Sequence, residues 1–191
     1  MSTTAASSPL STARAPWESF ALWFMIATTV VAFAGVPAES WRVSPADPCH
    51  LATIAGALTV VTLVVTRRFG RRAYRFERLL TAGFLAAMPL VYVGSYYLYG
   101  AHAGPAWRWI ELCAVAFFGA LAVAGFRGRP ALLVLGIAAH GAFWDLWHFG
   151  TSLYIPSWYA AGCLALDVAM ALYIGTRLSR WQEAARSAAL P

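Results

Sequence analysis

The sequence contains no lysine, only eight acidic residues and three cysteines in 191 positions. Charged residues make up 12% of it and hydrophobic ones 60%, with a mean hydropathy of +0.62. A soluble domain carries about 25% charged residues and under half apolar ones, so this composition excludes an ordinary cytosolic enzyme, a disordered chain and a nucleic-acid-binding module. Three cysteines are too few, and an odd number, for a disulfide framework. The P-loop, the dinucleotide fingerprint, HExxH, GxSxG and CxxC are absent as well.

What the chain does contain is six uncharged or nearly uncharged stretches, Ser19–Ala38, Cys49–Thr66, Leu79–Tyr99, Trp107–Phe126, Pro130–Phe149 and Ser157–Thr176. Each can cross about 30 Å of hydrocarbon at about 1.5 Å per helical residue. Membrane strands would be about half as long and would alternate polar with apolar positions, which these do not. The expected fold is therefore all-α: a polytopic bundle of six transmembrane helices over residues 17–177, a disordered tail over 1–16 and a second tail over 178–191. Ala32-Phe33-Ala34 ahead of Gly35 resembles a signal-peptide cleavage site, but the segment's length, its single preceding arginine and Glu18 at its start favour a retained span. An inverted three-helix repeat would rest only on Trp17-Glu18 echoing Trp109 and Glu111.

All 14 basic residues are arginine, and the isoelectric point is about 9.7. With six spans, Arg14, the six arginines from Arg67 to Arg78, Arg127, Arg129, Arg177, Arg180 and Arg186 fall on one side, and only Arg42 and Arg108 on the other. That asymmetry predicts cytoplasmic termini, with the basic face meeting anionic lipid headgroups rather than nucleic acid. Trp17 and Trp181 on one side, and Trp41, Trp107, Trp109 and Trp158 on the other, fit interfacial belts.

Ionisable groups inside a span cost about 2.5–3.5 kcal/mol at a helix centre, so each is a functional candidate. All four histidines, together with Glu111, Asp145 and Asp167, fall in the outer half of this topology. The expected upper layer is His50, Glu111, Asp145 and His148, a candidate set of ligands for a divalent metal such as Zn or Fe. Asp145 and His148 are spaced i, i+3, so they can share an ion, or Asp145 can fix the tautomer of His148. The lower layer is His140 and Asp167, at equal depth on neighbouring helices and suited to act as a general acid/base pair. Tyr96 and Tyr99, with Tyr92 and Ser95, form a polar aromatic face. Trp144 continues the His140–His148 stripe, and Tyr159 and Cys163 continue that of Asp167, giving a pocket open outward. Bundle histidines and acids can also serve packing alone, and the three cysteines read as small apolar fillers, with a Cys113–Cys163 bridge as an alternative.

The stretch from Trp107 to Ala171 resembles a family of small, uncharacterised bacterial integral membrane proteins, a domain of unknown function. Its pattern is a Trp-Glu opening one helix, then His-x4-Asp-x2-His, Pro and Cys-x3-Asp. Here these are Trp109 and Glu111, His140-x4-Asp145-x2-His148, Pro156, and Cys163-x3-Asp167. Glu111 stands one residue further from its Trp, and Phe149 replaces a second histidine often found there. The resemblance implies that these residues belong together and that the chain is a multi-pass protein of a bacterial inner membrane. It implies no activity. Alkaline ceramidases, with their late-helix His-x3-His, are a poorer match because Trp144 stands four before His148. The residues themselves leave open a metal-dependent membrane enzyme acting on a lipid-like or small hydrophobic substrate and a proton- or cation-coupled transporter. They also leave open a haem or quinone protein and a structural or partner-binding membrane protein.

Overall fold

The computed structural model describes residues 16–38 and 47–188. The expected tail up to residue 15 with Arg14, and Glu39, Trp41 and Arg42, lie outside the described residues. Six helices are long and apolar enough to cross a membrane: α1 (Pro16–Ala34), α2 (Pro48–Thr66), α3 (Tyr74–Tyr99), α4 (Pro105–Arg127), α5 (Ala131–Thr151) and α6 (Ser157–Gly175). A shorter helix, α7 (Leu178–Ala188), follows α6 within the expected tail, and no strand occurs among the described residues.

Local chemistry fixes several of the ends. Asp47 caps α2 by accepting the Cys49 N–H at 2.7 Å, with Pro48 at the first helical position. Gly104, at φ 85°, supplies the left-handed turn that a side chain would resist before Pro105 opens α4. The Arg78 guanidinium donates to the last carbonyls of α4, Gly125 at 3.2 Å and Phe126 at 2.5 Å, where partial negative charge collects.

Helices adjacent in sequence pack side by side, and α6 returns against α1 to close the ring, with α5 also reaching α3. Short connections make neighbours antiparallel, as in other up-and-down bundles. Leu22, Met25, Leu85, Leu133, Ile137 and Met170 fill one half of the interior. Cys49, Tyr92, Tyr154 and Tyr159 form a smaller cluster toward the other end. Large apolar side chains also cover the outside, Phe143 being 76% and Val31 71% exposed, as suits a surface facing lipid rather than water.

α3 begins five residues before the expected Leu79, so Glu77 and Arg78 lie inside a helix of the bundle. They are tolerated there because both have partners. Glu77 accepts from Arg177 Nη2 at 2.9 and 3.1 Å and from the Trp181 indole N–H at 2.9 Å. Glu18 accepts from Arg177 Nη1 at 3.0 Å and from Arg180 at 2.9 and 2.5 Å. The Arg177 guanidinium also lies 5.2 Å over the Tyr74 ring. This network ties α1, α3 and α7 at one end of the ring, and no buried polar atom of Glu18, Glu77, Arg177 or Trp181 lacks a partner. Burial opposes the charge on Arg177, yet the Glu77 carboxylate outweighs it and raises the guanidinium above the usual arginine range.

Candidate functional site: a buried imidazole–carboxylate group

At the opposite end, where α4 begins, α5 ends and α6 begins, the polar residues of three helices meet. The decisive local feature is in α5, whose residues His140–Asp145 form a π-helical turn, the Leu146 N–H reaching back five residues to the Gly141 carbonyl. In an α-helix, positions five apart diverge by about 140°, whereas i→i+5 bonding stacks them on one face. His140 and Asp145 therefore point the same way. His140 Nδ1 is 3.3 Å from Asp145 Oδ1 and 2.9 Å from Asp167 Oδ2 on α6. Gly141 permits this approach, since a Cβ there would sit 2.7 Å from that of Asp167. The three residues are completely buried, and one ligand atom from each lies within 4.8 Å of the others. Among the described residues this is the only group of that kind.

Asp145 and His148, three residues apart on α5, engage different partners. Asp145 Oδ1 accepts from the Tyr92 hydroxyl of α3. His148 Nε2 instead lies 3.2 Å from Glu111 Oε1 on α4, off the line of a hydrogen bond, and Tyr154 donates its hydroxyl to the same oxygen. Burial and the Glu111 carboxylate hold the Tyr154 phenol above the ordinary tyrosine range, so it stays a donor. The His148 ring is enclosed by aromatic rings, with Tyr92 at 4.4 Å, Trp144 and Trp147 at 5.1 Å and Trp107 at 5.7 Å between centroids.

The expected layers are thus regrouped. Asp145 joins His140 and Asp167, and Glu111 pairs with His148. His50 stacks on Trp158 at 5.4 Å and lies 3.9 Å from Asp47, so it is not part of the metal-capable group. Tyr96 donates to the Gly104 carbonyl at 3.1 Å and packs on Tyr154, while Tyr99 is 45% exposed. Tyr159 is buried against Tyr92. All three cysteines are free, so no Cys113–Cys163 bridge forms. Tyr154 and Gly141 were not singled out in the sequence. The pairing of Gly141 with His140 was a signal for close helix approach, whereas nothing in the pattern marked Tyr154.

Unlike the network at the other end, this site is only half satisfied. Glu111 Oε2, His140 Nε2, Asp145 Oδ2, His148 Nδ1 and Asp167 Oδ1 are buried without a hydrogen-bond partner. Buried polar groups are paired in the great majority of cases, and each exception calls for a physical reason. Two carboxylates beside one imidazole also leave negative charge even when the imidazole is protonated, and a cation, either a proton or a metal ion, balances it. A cavity of about 400 Å³ between α2 and the rest of the ring is lined by apolar side chains and reaches Asp167, Cys163 and Tyr159. No protein-family model, curated protein or solved structure matches this chain. Its own geometry defines its class, a helical bundle with six membrane-length helices around a buried His/carboxylate group that could hold a metal.

Proposed function

We propose that the protein is a metal-dependent membrane enzyme acting on a lipid-like or small hydrophobic substrate, with His140, Asp145 and Asp167 as the metal ligands. The observation that carries this reading is the convergence of three buried ligand atoms, beside unpartnered carboxylate oxygens, next to an apolar cavity. Ligands about 2.0–2.2 Å from one ion stand about 3–3.5 Å apart, which suits the 2.9 and 3.3 Å separations around His140 Nδ1. Nitrogen and carboxylate donors fit Zn or Fe. Such an ion would activate water or polarise a substrate oxygen.

The chain's own residues supply the rest. Tyr92 orients Asp145 by donating to Oδ1, and Gly141 lets α6 bring Asp167 to His140. The His148–Glu111 pair, with Tyr154 on the same carboxylate, is placed to exchange protons beside Tyr92. Relative to the sequence expectation, His140 and Asp167 move from the acid/base role to the metal, Glu111 and His148 move the other way, Asp145 stays a ligand and His50 takes neither role. The arginine distribution supports cytoplasmic termini in a bacterial inner membrane, with this site in the outer half. The shared His/Asp/Cys pattern supports placing the chain with the uncharacterised family described above.

A proton- or cation-coupled transporter would use the same ladder, Glu111, His148, Tyr92, Asp145, His140 and Asp167. Below Asp167, however, the next buried acids, Glu18 and Glu77, are committed to Arg177 and Arg180, so the ladder ends inside the bundle.

Elemental analysis of the purified protein tests the enzyme reading. About one Zn or Fe per chain is expected, lost in His140→Ala and Asp167→Asn and retained in His148→Ala. Folded wild type that neither carries nor takes up Zn, Fe or Mn would overturn it.

A further inference from the structure

The cavity narrows the chemistry of what the site accepts. Its walls come from α1, α2, α3 and α6. Leu51, Leu90 and Phe33, each about half exposed, stand at its mouth on the lipid-facing side of the ring. The polar side chains along the walls are nearly all spent. The Thr29 hydroxyl donates to the Met25 carbonyl at 2.7 Å and that of Thr53 to the Cys49 carbonyl at 2.8 Å. Asp167 differs, because Oδ2 is held by His140 while Oδ1 is a buried acceptor with no partner. A long apolar cavity with one free carboxylate oxygen matches a molecule that is apolar along its length and carries a hydrogen-bond donor at one end.

Resting on the site reading above, we infer that the cavity seats a single-chain amphiphile ending in a neutral donor, a long-chain alcohol, which comes in sideways from the bilayer and hydrogen-bonds Asp167 Oδ1. An alkane lacks the donor. The hydroxyl so placed would sit beside the His140–Asp145–Asp167 group.

The test uses the full chain in phosphatidylcholine nanodiscs and a dodecanol probe bearing a mid-chain diazirine. Labelled positions are mapped by mass spectrometry. Labelling confined to the cavity walls is expected, with dodecan-1-ol competing about tenfold better than dodecane. Ala87 and Ala55 line the cavity from α3 and α2 and supply no atom to the His/Asp group. Ala87→Trp, and independently Ala55→Trp, should cut labelling about tenfold while leaving metal content unchanged. Asp167→Leu should abolish the preference for alcohol over alkane while labelling by the chain persists. Labelling spread evenly around the lipid face, or equal competition by dodecanol and dodecane, would overturn the inference. Metal content is measured on the same samples, so a metal-free protein that still selects the alcohol counts only against the metal reading.

Discussion

The bundle buries two sets of charged side chains at opposite ends, and they are built differently. Around Arg177, two carboxylates meet two guanidinium groups and an indole N–H, and every buried polar atom of Glu18, Glu77, Arg177 and Trp181 is engaged. Around His140, two carboxylates meet one imidazole and one phenol, and an oxygen of each carboxylate is left over. The first arrangement closes on itself and can only hold helices together. The second retains unused bonding capacity at the edge of a cavity, which packing does not require. Burial alone does not separate a structural polar cluster from a functional one; the balance of donors and acceptors does.

The largest effect should come from breaking the closed set. Arg177→Met leaves Glu77 and part of Glu18 buried without their main counter-charge, which should cost about 3–5 kcal/mol and appear as a collapse of thermal stability in detergent. If Arg177→Met were neutral, the two ends would not differ as described. Gly141→Ala comes next. Its Cβ would press on that of Asp167 at 2.7 Å, so a loss of about 1–3 kcal/mol and several-fold weaker metal uptake are expected together. Smaller still, Asp145→Asn should leave stability within about 1 kcal/mol of wild type, or raise it, while removing bound metal, because it discharges an incompletely paired group. Unfolding of Asp145→Asn would make this end structural too.

The smallest expected effect concerns pH. The raised value of Arg177 contributes stability that is fully present below the usual arginine range and is lost only as pH climbs through the higher folded value. Melting temperature should therefore stay flat as buffers move from neutral to mildly alkaline. A fall in that interval, absent from Arg177→Met rescued by a paired Glu77→Leu, would show that Arg177 is not held charged by Glu77.

The six membrane helices were legible because long apolar runs leave no other solution in a bilayer. The start of α3 was not, since Glu77 and Arg78 read as a loop until Arg177, a hundred residues away, pairs with Glu77 and the carbonyls that end α4 accept from Arg78. The residues of the site were legible as a set, through ionisable groups gathered toward one side. Their grouping was not, because it depends on the π-helical turn at His140–Asp145, which adds one residue to the repeat and leaves no mark in apolar periodicity. The arginines show the complementary error. Arg177 and Arg180, read only as topology signals, are ion-pair partners of Glu77 and Glu18. The helix α7 could have been found, since Leu178 and Trp181 recur at helical spacing and both pack on the core.

We propose that the open end of the bundle holds a metal ion and the closed end does not. It is tested most directly by diffraction from crystals of the metal-replete protein, collected on both sides of the Zn and Fe absorption edges. One anomalous peak is expected, between His140 Nδ1 and the carboxylates of Asp145 and Asp167. A peak between Glu111 and His148 instead, or no peak in crystals grown with either metal in excess, would contradict it.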